Sequence, residues 1–298
     1  MPTPPPPIDV SGWLAIALPT LLAACGLATL PRVRGTTLTA PTLWWIAAAT
    51  AIAAVEALLA YYSVAPASLA ASLWRYTAAV GTFCPLTAVL GAKRPQDRGW
   101  QWVVASLWLV LLVPVAQAVA SPSGTQLELV AAWRWLLWGF IAMGLLNYLP
   151  TRFALSALLV AAGQVVLLSG PANIAQNLSP PARTALAAAL FLAARGLASL
   201  PYFRATPAAL PQTNRWLAFR DAWGAFWALR VLQRVNQTAE LSHWPVRLQW
   251  SGFVSTNEAP NDAPAISFDP PATTAVNQSL DALLRRFERI EQENLAER

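Results

Sequence analysis

Seven apolar stretches fill the first two-thirds of the chain, and the basic residues between them fall almost entirely in alternate connections, with Arg183 at the border of the last stretch as the exception. A helical bilayer crossing takes about 20 mostly apolar residues. On that measure helices are expected near residues 12–31, 41–62, 67–91, 100–120, 128–148, 152–169 and 183–201. Hydrocarbon offers no water to backbone amides, so helix is the form such stretches must take.

Charge gives the expected orientation. The first connection holds Arg32 and Arg34, the third Lys93, Arg94 and Arg98, and the fifth Arg152; the second and fourth hold no basic residue. Beyond the last stretch come Arg204, Arg215, Arg220, Arg230, Arg234 and Arg247. Basic loops stay on the side of synthesis. Connections one, three and five and the C-terminal tail are therefore expected in the cytoplasm, and the N-terminus outside. The expected location is the plasma or inner membrane, crossed several times. Tryptophans agree: Trp13, Trp74, Trp133 and Trp135 fall toward the outer face, and Trp44, Trp45, Trp100 and Trp102 toward the inner one.

Composition excludes several classes. Charged residues make up 11% of the chain, against about 25% in soluble domains. The net charge of +6 does not point to nucleic acid, because many arginines lie in or beside apolar segments. It suits topology and contact with anionic lipid, so the first partner is the bilayer itself. His243 is the sole histidine, and Cys25 and Cys84 both sit within apolar stretches. That leaves no bis-histidine haem, no histidine-based zinc site, no serine–histidine pair and no disulfide framework. The only lysine, Lys93, stands in a connection, so the last helix lacks the retinal-linking lysine of the microbial rhodopsins. No cofactor and no catalytic set is expected.

The chain divides into an extracytoplasmic tail (1–11), a transmembrane domain of seven helices (12–201), a cytoplasmic juxtamembrane region (202–254), a flexible linker (255–276) and a C-terminal amphipathic helix (277–298). In the juxtamembrane region a helix is expected over 214–242, with Trp216, Phe219, Trp223, Phe226 and Trp227 on one side. Such a face suits either the membrane interface or packing on the transmembrane domain. Residues 245–253 alternate as a single strand. Leu280, Leu283, Phe287 and Ile290 take heptad positions, a pattern for docking or self-association. The tail, residues 214–298, thus reads as a surface for a second copy or a protein partner.

Charges inside a bilayer default to functional candidates. Glu56, Arg75 and Arg134 all fall about 9–12 Å below the outer surface at 1.5 Å per residue. A very short connection makes their first two helices antiparallel neighbours, and small residues mark the shared face. Glu56 and Arg75 are therefore expected to meet. Gln117 and Gln164 complete a polar layer in the outer half. Two functional readings follow. The first is a non-enzymatic scaffold or complex subunit with a partner-recruiting tail. The second is a small-solute or lipid transporter using the layer around Glu56 and Arg75.

Overall fold

The computed structural model describes residues 9–122, 124, 126–172, 177–200, 210–256 and 270–288. In chain order the elements are α1 Val10–Val33, α2 Thr39–Tyr61, α3 Leu69–Val80, α4 Cys84–Leu90, α5 Asp97–Leu111, α6 Val113–Ala120, α7 Ala131–Tyr148, α8 Ala154–Leu168, α9 Pro180–Ser199, α10 Pro211–Leu241, β1 Val246–Gln249, β2 Gly252–Ser255 and α11 Pro270–Leu284. The protein is mostly helical with one small sheet. Among the described residues three helices are long and apolar enough to cross a membrane: α1, α2 and the run of α5 with α6, Asp97–Ala120. α8 is apolar but shorter, at 15 residues.

Local chemistry sets the helix ends and breaks. Asp9, Ser68 and Ser179 each accept a hydrogen bond from an amide in the first turn of α1, α3 and α9, satisfying donors that have no intrahelical partner. Pro85 lacks an amide donor, and the turn before it tightens into a 3-10 segment, Gly81–Phe83, that separates α3 from α4. Pro114 breaks the next span in the same way, between α5 and α6. There Val115 N donates to Leu112 O. The carbonyl of Leu111 instead accepts from the buried Tyr76 hydroxyl at 3.1 Å. Breaks of this kind persist in apolar surroundings when side chains re-satisfy the backbone.

α1 packs on α2 and α9, α8 on α9 and α7, and α2 on α3 and α4. The connections gather at two ends. At one end Thr37, Ala92, Arg94 and Pro150 meet the tail. Trp223 Nε1 donates to Thr37 Oγ1 at 3.0 Å, Arg94 N to Arg286 O at 3.0 Å, and Trp250 Nε1 to Pro150 O at 2.7 Å. At the other end Leu127 N donates to Ser72 Oγ at 2.9 Å and Leu129 N to Pro171 O at 3.1 Å. These are called the tail side and the far side below.

The tail corrects several expectations. The aromatic face of α10 lies in a core rather than open to lipid: Trp216, Phe219, Trp223 and Trp227 are buried against Phe287, Leu280 and Leu284 of the α11 region and Leu248 and Phe253 of the sheet. Phe219 stacks on Trp223 with centroids 5.0 Å apart, and Phe287 meets Phe219 edge-on at 5.0 Å. The single strand is in fact one arm of an antiparallel hairpin, with Gln249 paired to Gly252 across Trp250 and Ser251. Phe253 N donates to Thr213 Oγ1 at 3.2 Å, which fastens the second strand to α10. The expected linker is partly helical, since α11 begins at Pro270, where proline suits the first turn. That helix ends at Leu284, earlier than expected, because its heptad residues turn onto α10 instead of continuing as a zipper. Residues 1–8, most of the linker, and Ile290 with the rest of the C-terminus lie outside the described residues.

Candidate functional site

Glu56 sits at the centre of a hydrogen-bonded cluster on the far side. Ala49 and Ala53 share its face of α2 and are buried, so α3 approaches closely. Arg75 Nε donates to Glu56 Oε1 at 2.8 Å, and Arg75 Nη2 to Oε2 at 2.8 Å. This two-pronged fit is the strong form of a guanidinium–carboxylate pair. Thr184 Oγ1 of α9 adds a third donor to Oε1 at 2.6 Å. Arg75 Nη1 also holds the Pro66 carbonyl at 2.9 Å. The side chains are 16% (Arg75) and 5% (Glu56) exposed.

A second cation joins this pair. Arg183, in the first turn of α9, lines the same small cavity of about 50 Å³ as Glu56 and Arg75. Its guanidinium rests directly over Gly170, where any Cβ would collide with it. Among the described residues the Arg183 guanidinium makes no hydrogen bond and no ion pair, while its backbone amide donates to Ser179 O at 3.0 Å. The small cavity shares Gln126, Gly170, Pro180 and Arg183 with a larger one of about 960 Å³, whose walls also carry Gln117, Ser121, Glu128, Asn177 and Ser179.

The other residues expected in this layer lie elsewhere. Gln117 is exposed on the wall of the larger cavity, away from the ion pair. Gln164 is buried and donates to Thr82 O at 3.2 Å, in the break ahead of Pro85. Arg134 lines neither cavity; it is half-buried, with the exposed Val130 one turn before it and the buried Leu137 and Ile141 one and two turns after it. Arg183 stands in its place. Its position at the border of an apolar run makes it look like a span end, and no sequence signal couples it to Gly170.

On the tail side a third cavity of about 410 Å³ opens among α1, α2, α4, α7, α8 and α9. Leu22, Leu86, Val160 and Phe191 give it apolar walls, and Thr42, Ser156 and Arg195 line it toward the tail. Along α2 the far cavity reaches Ile52 and this one reaches Trp45, about 10 Å apart. Along α9 the corresponding residues are Thr184 and Phe191. The layer between is built from small buried residues, Ala48, Ala49, Ala79, Ala187 and Ala188, with the Gln164–Thr82 bond beside it. Phe191 closes the tail side of the layer, its ring set on Gly163 and edge-on to Trp45 at 5.6 Å.

Chemically, the far cavity can hold a polar or charged group, and the tail-side cavity an apolar one. Among the described residues no three His, Cys, Asp or Glu side chains gather as metal ligands. No protein-family model, no curated protein and no solved structure matches this chain.

Proposed function

We propose that the chain is a seven-crossing protein of the plasma or inner membrane, N-terminus outside, that carries a small solute or lipid. The single observation behind this reading is the pair of cavities on either side of one thin, alanine-lined layer. A carrier needs a recognition site reachable from each face in turn, with a contact between that can open. Small side chains let helices slide past one another without leaving large voids. Broken helices at mid-depth are a further feature of such proteins, and α3 with α4 and α5 with α6 are broken there.

Orientation is read from loop charge on a two-ended arrangement of the connections. The basic connections, one, three and five, all meet the tail, while the second, fourth and sixth meet one another at the far side. Basic loops belong in the cytoplasm, so the far cavity is read as extracytoplasmic. The scaffold reading is less favoured, since Trp216, Phe219, Trp223, Trp227, Leu280 and Phe287 pack against one another within the chain.

The test is transport by the full chain in liposomes, with internal radiolabelled phosphate and trace fluorescent phosphatidylcholine as probes. Efflux or flipping above protein-free liposomes, lowered by Glu56→Gln and by Arg75→Ala, is the expected result. Equal permeability of both probes with and without protein would remove the proposal.

A further inference from the structure

We infer that the far-side cavity binds a small oxyanion, a carboxylate or phosphate group, between Arg183 and Arg75. The inference rests on reading that cavity as a recognition site and names what it recognises.

Charge is the first reason. One carboxylate, Glu56, faces two guanidiniums, Arg75 and Arg183. Glu56 already accepts three hydrogen bonds, two from Arg75 and one from Thr184. Its lone pairs are nearly used, so it does not serve Arg183. Glu128 lines the adjoining larger cavity but is exposed and forms no ion pair with Arg183. Two cations against one anion in a partly desolvated pocket repel each other, and a bound anion relieves that repulsion.

Donor geometry is the second. Arg75 has committed Nε, one Nη1 and one Nη2 hydrogen, which leaves two of its five donors. Arg183 has all five. A guanidinium fork matches a carboxylate or phosphate edge. Arg183 lies over Gly170, in space that a side chain at that position would enter.

Size is the third. A cavity of about 50 Å³ takes a small group, not a whole metabolite, and the adjoining 960 Å³ has room for what is attached to it. The anion is either free or the head of a lipid, and the two sources separate by experiment.

The full chain is reconstituted in neutral phosphatidylcholine nanodiscs and titrated calorimetrically with inorganic phosphate and with acetate at constant ionic strength. Saturable binding of at least one is expected, weakened tenfold or more in Arg183→Gln and in Gly170→Ala, and unchanged in Arg134→Gln. If discs containing phosphatidylglycerol abolish that binding competitively, the lipid headgroup is the source; if they do not, the anion is free. No saturable binding in neutral discs, or an Arg183→Gln protein that titrates as wild type while folded by circular dichroism, would overturn the inference. A chain that moves phosphatidylcholine yet binds neither anion would overturn it while leaving the carrier reading intact.

Discussion

The Asn147 side chain of α7 occupies the space that a Cβ at residue 224 would need, and Gly224 adopts φ 79° in the middle of α10. The break that Gly224 makes releases the Phe226 amide, which donates to Asn147 Oδ1 at 3.0 Å. One contact thus satisfies a freed donor and fixes the tail against the bundle.

Gly224→Ala therefore meets two obstacles, a left-handed backbone and an occupied site. A loss of about 2 kcal/mol or more is expected, from strain of about 1–3 kcal/mol plus displacement of Asn147. Thermal unfolding in detergent measures it. An unchanged midpoint would mean that α10 straightens without cost.

How much of this was legible in the chain depends on range. The helices of the apolar stretches follow from hydropathy, because lipid forces the backbone to satisfy itself. The Glu56–Arg75 pair is also legible, since a short connection and small residues bring two neighbouring helices together. Arg183 is not, because its partner surface, Gly170, looks like any loop glycine. The hairpin escapes for a local reason: its turn residues, Trp250 and Ser251, lack the Asn-Gly or Asp-Gly signature of two-residue turns. Asp221 reads as a charge that keeps α10 out of the membrane, yet it is 1% exposed and paired with Arg220 at 2.9 Å and Arg152 at 3.2 Å. An aromatic helix face is equally consistent with lipid and with a core, and only the fold decides between them.

Neutralising Glu56 alone should cost more than removing the whole pair. Glu56→Gln leaves Arg75 without its counter-charge, and breaking a buried pair this way costs about 3–5 kcal/mol. Replacing both, as Glu56→Leu with Arg75→Met, restores apolar packing and is expected to recover most of that loss. Unfolding midpoints of the two proteins make the comparison. A double variant less stable than Glu56→Gln would show that the pair is needed for stability in its own right.

Phe287 joins α11 to the tail core through ring contacts with Phe219, Trp223 and Trp227. Phe287→Ala should cost about 3–5 kcal/mol of local stability, in line with other buried aromatic truncations. The consequence is release of α11 while the apolar bundle stays folded. Limited proteolysis is expected to cut the variant near residues 256–270 faster than wild type, with the bundle fragment intact. Equal cleavage rates would mean that α11 is anchored elsewhere, with Arg215, which bonds Asp281 and Glu288, the next group to test.

The two-ended arrangement of the connections makes the orientation testable with a pair of single cysteines. Cys25 and Cys84 are first replaced by serine, since both lie within the helical bundle. Ser121 ends α6 at the far side and Ser251 sits in the hairpin turn of the tail; both are exposed. With an odd number of crossings the two ends of the chain lie on opposite sides, and the tail shares its side with Arg94 and Arg152. A membrane-impermeant maleimide is expected to label Ser121→Cys in intact cells and Ser251→Cys only after permeabilisation. The reverse pattern would turn the molecule over, making Arg183 face the cytoplasm and moving the anion pocket to that side. Labelling of both in intact cells would break the link between loop charge and sidedness on which the crossing count depends.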